Sequence, residues 1–92
     1  MNTYIQKKSK YNAIQFTGDN REKIIDALQT KKEFVQMWRN EDTKACYLTI
    51  HDPNFDLGQV QEKQWILVTI GKSAYIIMDD KDFQENYQEI KE

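Results

Sequence analysis

Residues 34–50, Phe34-Val35-Gln36-Met37-Trp38-Arg39-Asn40-Glu41-Asp42-Thr43-Lys44-Ala45-Cys46-Tyr47-Leu48-Thr49-Ile50, hold the reading that decides the fold. Phe34, Gln36 and Trp38 alternate with Val35, Met37 and Arg39, the period of two that puts neighbouring side chains on opposite faces of a strand. Asn40-Glu41-Asp42-Thr43 is composed of turn formers, and Lys44 to Ile50 returns as a second strand, so the stretch predicts a β-hairpin.

Upstream, Lys10 to Phe16 predicts a strand with Asn12, Ile14 and Phe16 on one face and Tyr11, Ala13 and Gln15 on the other. Thr17-Gly18-Asp19-Asn20 breaks it, and Asp19 with Glu22 has the spacing of a capping box. Ile24, Ala27 and Leu28, with Ile25 beside them, give the following helix one apolar face, and Lys31 and Lys32 suit its negative end. Downstream, His51 to Gly58 is rich in Pro, Asn, Asp and Gly and reads as a loop, with a short strand at Gln59 to Gln61. Trp65 to Ile70 is a nearly continuous apolar run, the mark of a strand buried on both faces. Gly71-Lys72 turns the chain into a strand at Ala74 to Met78. Asp79 or Asp80 caps a helical turn through Phe83, and Tyr87 to Ile90 closes the sheet as an edge. The expected class is α+β: five or six mostly antiparallel strands, in a curled and potentially barrel-like sheet, with one main helix and a short helical turn near the C-terminus.

Ninety-two residues suit one domain, 1–92, because hydrophobic cores divide only in much longer chains. Apolar residues make up 39% and aromatics 12%, enough to fill one core, while three Gly and one Pro leave no room for a flexible linker. The net charge of −2 speaks against direct nucleic-acid binding, which needs a basic stripe to displace counterions from phosphates. Charge is uneven, however. Lys7, Lys8 and Lys10 make the start basic, and from Asp79 to Glu92 six acids stand against Lys81 and Lys91. Such an acidic end either imitates nucleic-acid phosphates toward a basic protein or is simply solvated. The first ten residues have no apolar stretch behind their lysines, and the longest apolar run, Trp65 to Val68, is far short of a membrane span. A cytoplasmic protein without membrane contact is the expectation. Cys46 is the lone cysteine, so no internal disulfide forms.

Ala13-Ile14-Gln15-Phe16-Thr17-Gly18-Asp19-Asn20 resembles the opening of a family of short proteins encoded by tailed phages and prophages, where a strand ending Ala-Ile-Gln-Trp-Thr-Gly leads into a helix. That family's Pro-Gly-Asp-Trp-Ile-Ile segment has its counterpart in Glu62-Lys63-Gln64-Trp65-Ile66-Leu67, with the Pro-Gly turn replaced. Its closing glycine, aromatic and Phe-x-x-x-Tyr correspond to Gly71, Tyr75, Phe83 and Tyr87. The resemblance spans nearly the whole chain but rests on packing and turn residues. It implies a viral or prophage source and transfers no functional residue.

The motifs that come nearest to chemistry each lack a physical requirement. Gly71-Lys72-Ser73 supplies half of a phosphate loop, but Ile66 stands where the first glycine belongs, and a strand follows where a helix N-terminus is needed. Asp52, Asn54 and Asp56 have calcium-loop spacing, yet Leu57 replaces the turn glycine and Lys63 the bidentate glutamate. Cys46 and His51 lie an odd number of residues apart on one strand and so face opposite ways, too far for a nucleophile–base pair, and together they are half a zinc tetrad. Most of the 15 carboxylates fall in caps, turns or the tail, where water keeps their acidity ordinary. The expectation is a protein that is not an enzyme and takes no cofactor or metal.

Binding is therefore the expected mode of action. Trp38 and Arg39 are types enriched at interface hot spots, although Trp38 on the Phe34 face also suits the core. The segment His51, Asp52, Asn54 and Phe55 offers an aromatic within a polar loop, either folded down as a lid or held out to a partner. The lead expectation is a phage or prophage accessory protein that binds and blocks a host protein, such as a bacterial defence complex. One alternative is an oligomer that sequesters a small nucleotide at seams built from Trp38, Arg39 and the loop. Another is a minor structural or assembly protein of the virion. Self-association through strand edges is a further expectation.

Overall fold

The computed structural model describes residues 2–6, 9–69 and 75–89, with side chains described over 11–68 and 75–87. The elements run β1 (Asn2–Gln6), β2 (Ser9–Gln15), α1 (Arg21–Leu28), a 3-10 turn (Lys32–Phe34), β3 (Val35–Arg39), β4 (Cys46–Asp52), β5 (Phe55–Gln61), β6 (Trp65–Thr69), β7 (Tyr75–Met78), α2 (Asp80–Asn86) and β8 (Gln88–Glu89). The fold is α+β with antiparallel pairing, as the sequence predicts. The described strands number eight rather than five or six, and they form two sheets rather than one curled sheet or barrel. One sheet has the order β7-β6-β2-β1-β8, the other β3-β4-β5.

Of two local departures, the first adds a strand and the second lengthens β4 and β5. Asn2–Gln6 is short and largely polar, and becomes a strand by pairing with β2 from Asn2↔Ala13 to Gln6↔Ser9. The segment expected as a loop at 51–58 is instead the tip of a second hairpin. Pro53 and Asn54 form its turn, and an Asp52 Oδ1 bond from the Asn54 N–H (2.8 Å) closes it. A bulge between Ile50 and His51 absorbs the polar residues, and Gly58 (φ +72°) supplies the left-handed conformation beside it.

Helix α1 also ends differently from expectation. Its N-cap is Asn20, not Asp19, and no side chain caps it. Asn20 instead closes the preceding turn, accepting the Thr17 N–H (2.9 Å) and donating to the Gln15 carbonyl (2.7 Å). The helix stops at Leu28 with Gln29 left-handed (φ 56°), ahead of Lys31 and Lys32, so its last turn holds no basic residue.

Strand β6 is buried on both faces. Ile66 and Val68 of β6 join Phe16, Ile24, Ile25, Leu28, Val35, Leu48, Ile50 and Val60 in the main core, which lies between the two sheets and α1. Leu67 points the other way, with Ala13 and Phe83, into a smaller core under α2. This accounts for the apolar run at 65–68, whose successive side chains enter different cores. Phe55 stacks on Tyr75 (4.2 Å) and ties the second hairpin to β7. Tyr11 and Tyr87, polar-tipped rings on the second core, meet edge to face at 5.4 Å. The predicted turn at Gly71-Lys72 and residues 90–92 of the acidic end lie outside the described residues.

Candidate binding face

The three-stranded sheet has one dry and one wet face. Val35, Leu48, Ile50 and Val60 point into the main core. Directly paired residues share a face, so the registers Trp38↔Tyr47↔Gln61 and Gln36↔Thr49↔Gln59 build two rows on the opposite, outward side. In these rows Trp38 stacks on Tyr47 (4.5 Å, 21° between ring planes) and its indole N–H donates to Thr49 Oγ1 (3.1 Å). Trp38 therefore has a fixed orientation while remaining 43% exposed. The core position that its place in the alternation allowed goes to Val35 instead.

Six outward positions, Gln36, Trp38, Tyr47, Thr49, Gln59 and Gln61, thus carry no charge, in a chain of which 30% is charged. Of this set, residue type alone points only to Trp38. The others were legible in principle: they are the polar members of strands whose alternate members, Val35, Leu48 and Val60, are buried. At the far end of the face His51 Nδ1 meets Asp56 Oδ1 at 2.8 Å, with both side chains exposed.

The predicted site residues do not come together. Trp38 and Arg39 lie at the end of the sheet beside the 40–45 turn, and His51, Asp52, Asn54 and Phe55 lie at the other end. Tyr47, opposite Trp38, lies four positions along β4 from His51, about 13 Å. Arg39 falls on the side away from Trp38, and its guanidinium donates to the Lys44 carbonyl (3.0 Å). Asp52 is occupied structurally. It accepts the Thr30 hydroxyl (2.7 Å) as well as the Asn54 N–H (2.8 Å), and these bonds, the Thr30 one foremost, hold its carboxyl below the usual carboxylate range. Phe55 is half-buried against the main core, in the position of a lid. Asn54 is exposed at the turn.

No family model matches the chain, and neither does any curated protein or solved structure.

Cys46 is buried with Sγ 3.7 Å from the Gly18 carbonyl, whereas His51 is exposed, so the two do not meet. Among the described residues no group of three or more His, Cys, Asp or Glu side chains is placed to hold a metal ion. Among them, too, no helix is long and apolar enough to cross a membrane.

One concavity, of about 570 Å3, flanks the free side of β3 and is lined by Arg21, Lys32, Glu33, Val35, Gln36 and Met37. Arg21 spends its guanidinium here on the Val35 carbonyl (2.7 Å), the Lys32 carbonyl (2.9 Å) and Glu22 (2.8 Å).

Proposed function

We propose that this chain is a non-enzymatic binding protein that seats the outward face of β3–β4–β5 on a partner protein and acts by covering the partner's surface. The observation that carries this reading is the uncharged patch of six residues centred on Trp38 and Tyr47. Interface cores are depleted in charge and enriched in Trp and Tyr, and an aromatic already held by a stack and a hydrogen bond loses little freedom on binding. A solvated sheet face, without a desolvated pocket around titratable groups, suits recognition better than catalysis.

In its finer form the partner is a host protein and the chain a phage or prophage accessory factor that blocks it, a bacterial defence complex being the target class. The resemblance of residues 13–20 and 62–67 to short phage proteins supports this form. Trp38 and Arg39 lie apart from His51 to Phe55 within one chain, so a nucleotide seam would have to be assembled between copies, whereas the uncharged face is already complete in a single chain. The test is affinity capture from bacterial lysate with the native chain and with the Gln59→Lys/Gln61→Glu double variant, which leaves the net charge unchanged. A protein retained by the native chain and lost by the variant is expected. Equal retention by both, or no specific protein with either, contradicts the reading.

A further inference from the structure

The sequence and backbone of β3 leave one strand edge open in a defined way. Asn40 N–H donates to the Ala45 carbonyl (2.9 Å), which sets the alternation of the β3–β4 ladder. By that alternation Gln36 and Trp38 bond inward to β4, while Val35, Met37 and Arg39 turn their backbone groups away from it. Two independent contacts agree. The Val35 carbonyl accepts Arg21 from outside the sheet, and the carbonyl of Cys46, opposite Arg39, points instead to β5, where it accepts the Glu62 N–H (3.3 Å).

Val35 is closed to any newcomer, because its N–H bonds to the Lys32 carbonyl and its C=O to Arg21. Met37 and Arg39 are therefore the open positions of this edge. The same short strand carries the exposed large apolar side chains of the described residues, Met37 at 44% and Trp38 at 43%. Edges of this kind are normally covered or charged against pairing.

We infer that β3 pairs antiparallel with β3 of a second copy of this chain about a two-fold axis at Trp38. This goes beyond the partner-binding reading and stands without it. Of the two-fold registers, this one alone sets both open positions against open positions: Met37 against Arg39 of the other copy, and Arg39 against its Met37. Each of these two pairs exchanges two backbone hydrogen bonds. Trp38 faces Trp38 across the axis at a non-hydrogen-bonded position, where side chains approach most closely and aromatic pairs are favourable.

Charge selects the second copy, and selects antiparallel. β3 is preceded by Lys31, Lys32 and Glu33, a balance of one positive charge, and followed by Glu41, Asp42 and Lys44, a balance of one negative charge. The two-fold lays Glu41 and Asp42 of each copy toward the groove of the other, where Lys32 and Arg21 lie, Arg21 already paired with Glu22 and Glu33 beside them. A parallel pair would set like charges together. The resulting sheet is six strands wide and presents both outward faces on one side.

Sedimentation of the full chain over a concentration series reaching roughly 1 mM, the range of weak interfaces, tests the pairing. A rise from the 11.0 kDa chain mass toward twice that value is expected. Arg39→Pro removes one outward N–H without touching the β4 ladder, and should return the protein to monomer with its circular dichroism unchanged. Register is read by cysteine cross-linking under mild oxidation. Trp38→Cys should form a disulfide-linked dimer at least ten times faster than Gln36→Cys, whose copies lie well apart across the axis. A chain that stays monomeric throughout, a dimer that survives Arg39→Pro, or cross-linking no faster at 38 than at 36 would each overturn the inference.

Discussion

Asp80 accepts a 2.8 Å hydrogen bond from the indole N–H of Trp65, joining the first turn of α2 to the start of β6. Gln84 donates to the same oxygen from one turn along (3.2 Å). These bonds, the Trp65 one foremost, favour the ionised carboxylate and hold Asp80 below its ordinary value of 3.8. The aspartate thereby anchors α2 over the second core, where the Trp65 ring lies flat on Phe83 at 3.9 Å.

The sign of the pH dependence follows. A carboxylate more acidic in the folded chain binds fewer protons there than when unfolded, so its stabilisation is full above the unfolded value and fades as pH falls through the depressed one. Asp52, held down by Thr30 and Asn54, acts in the same direction. Thermal unfolding followed from pH 6 downward should show a steeper loss below about pH 3.8 for the native chain than for Asp80→Asn, which keeps an acceptor but does not titrate. Identical profiles would mean that the Trp65 bond has no preference for the anion.

The 61–64 turn carries a correctable strain. Lys63 sits at φ +74°, in the region that costs an L-residue about 1–2 kcal/mol. It is held there by its N–H bond to the Phe16 carbonyl (2.7 Å) and by the return bond from Phe16 N–H to the Gln64 carbonyl (2.9 Å). Lys63→Gly should raise stability by about 0.5–1 kcal/mol in denaturant titration, the relief of strain outweighing the added freedom of the unfolded chain. Gly18→Ala should do the opposite. Its φ is +91°, and a Cβ there would meet the Glu62 side chain at 3.1 Å while Glu62 Oε1 is holding the Cys46 N–H (2.8 Å).

Two aromatic substitutions separate core from surface. Phe83, 2% exposed between Trp65 and Tyr87, should cost about 3–5 kcal/mol on truncation to Ala, a large share of the ~5–14 kcal/mol available to a chain of this size. Trp38→Ala, on the outward face, should cost about 1 kcal/mol or less and leave the fold intact. Paired urea titrations check both, and a Trp38 cost equal to that of Phe83 would place Trp38 in the core.

Much of this architecture is legible in the residue pattern. The alternation at 35–39 and 46–50, the two-sided apolar run at 65–68 and the single apolar stripe of α1 all appear where the periodicities put them. What the pattern hides are features decided by pairing and competition. Asn2–Gln6 is a strand because β2 is beside it. The polar segment at 51–58 extends two strands because a bulge and Gly58 absorb its turn formers. Asp19 and Glu22 have capping-box spacing, yet Asn20 takes the cap position and spends its side chain on the turn before it. Glu62-Lys63 forms a turn, with Lys63 accepting the backbone geometry that glycine would take without strain. For the binding face, residue type drew attention to Trp38 and to the aromatic at 55. Gln36, Tyr47, Thr49, Gln59 and Gln61 are the outward members of the same alternations, and what the pattern cannot show is the register that joins them into one uncharged patch.

The binding face itself is tested most directly by site-specific photo-cross-linking in bacterial lysate, with the reactive side chain placed at Gln59 in one version and at Gln84 of α2 in another. Adducts from position 59 to a protein other than the chain itself, with none from position 84, are the predicted result. Adducts from position 84 alone, or none from position 59, would contradict the account.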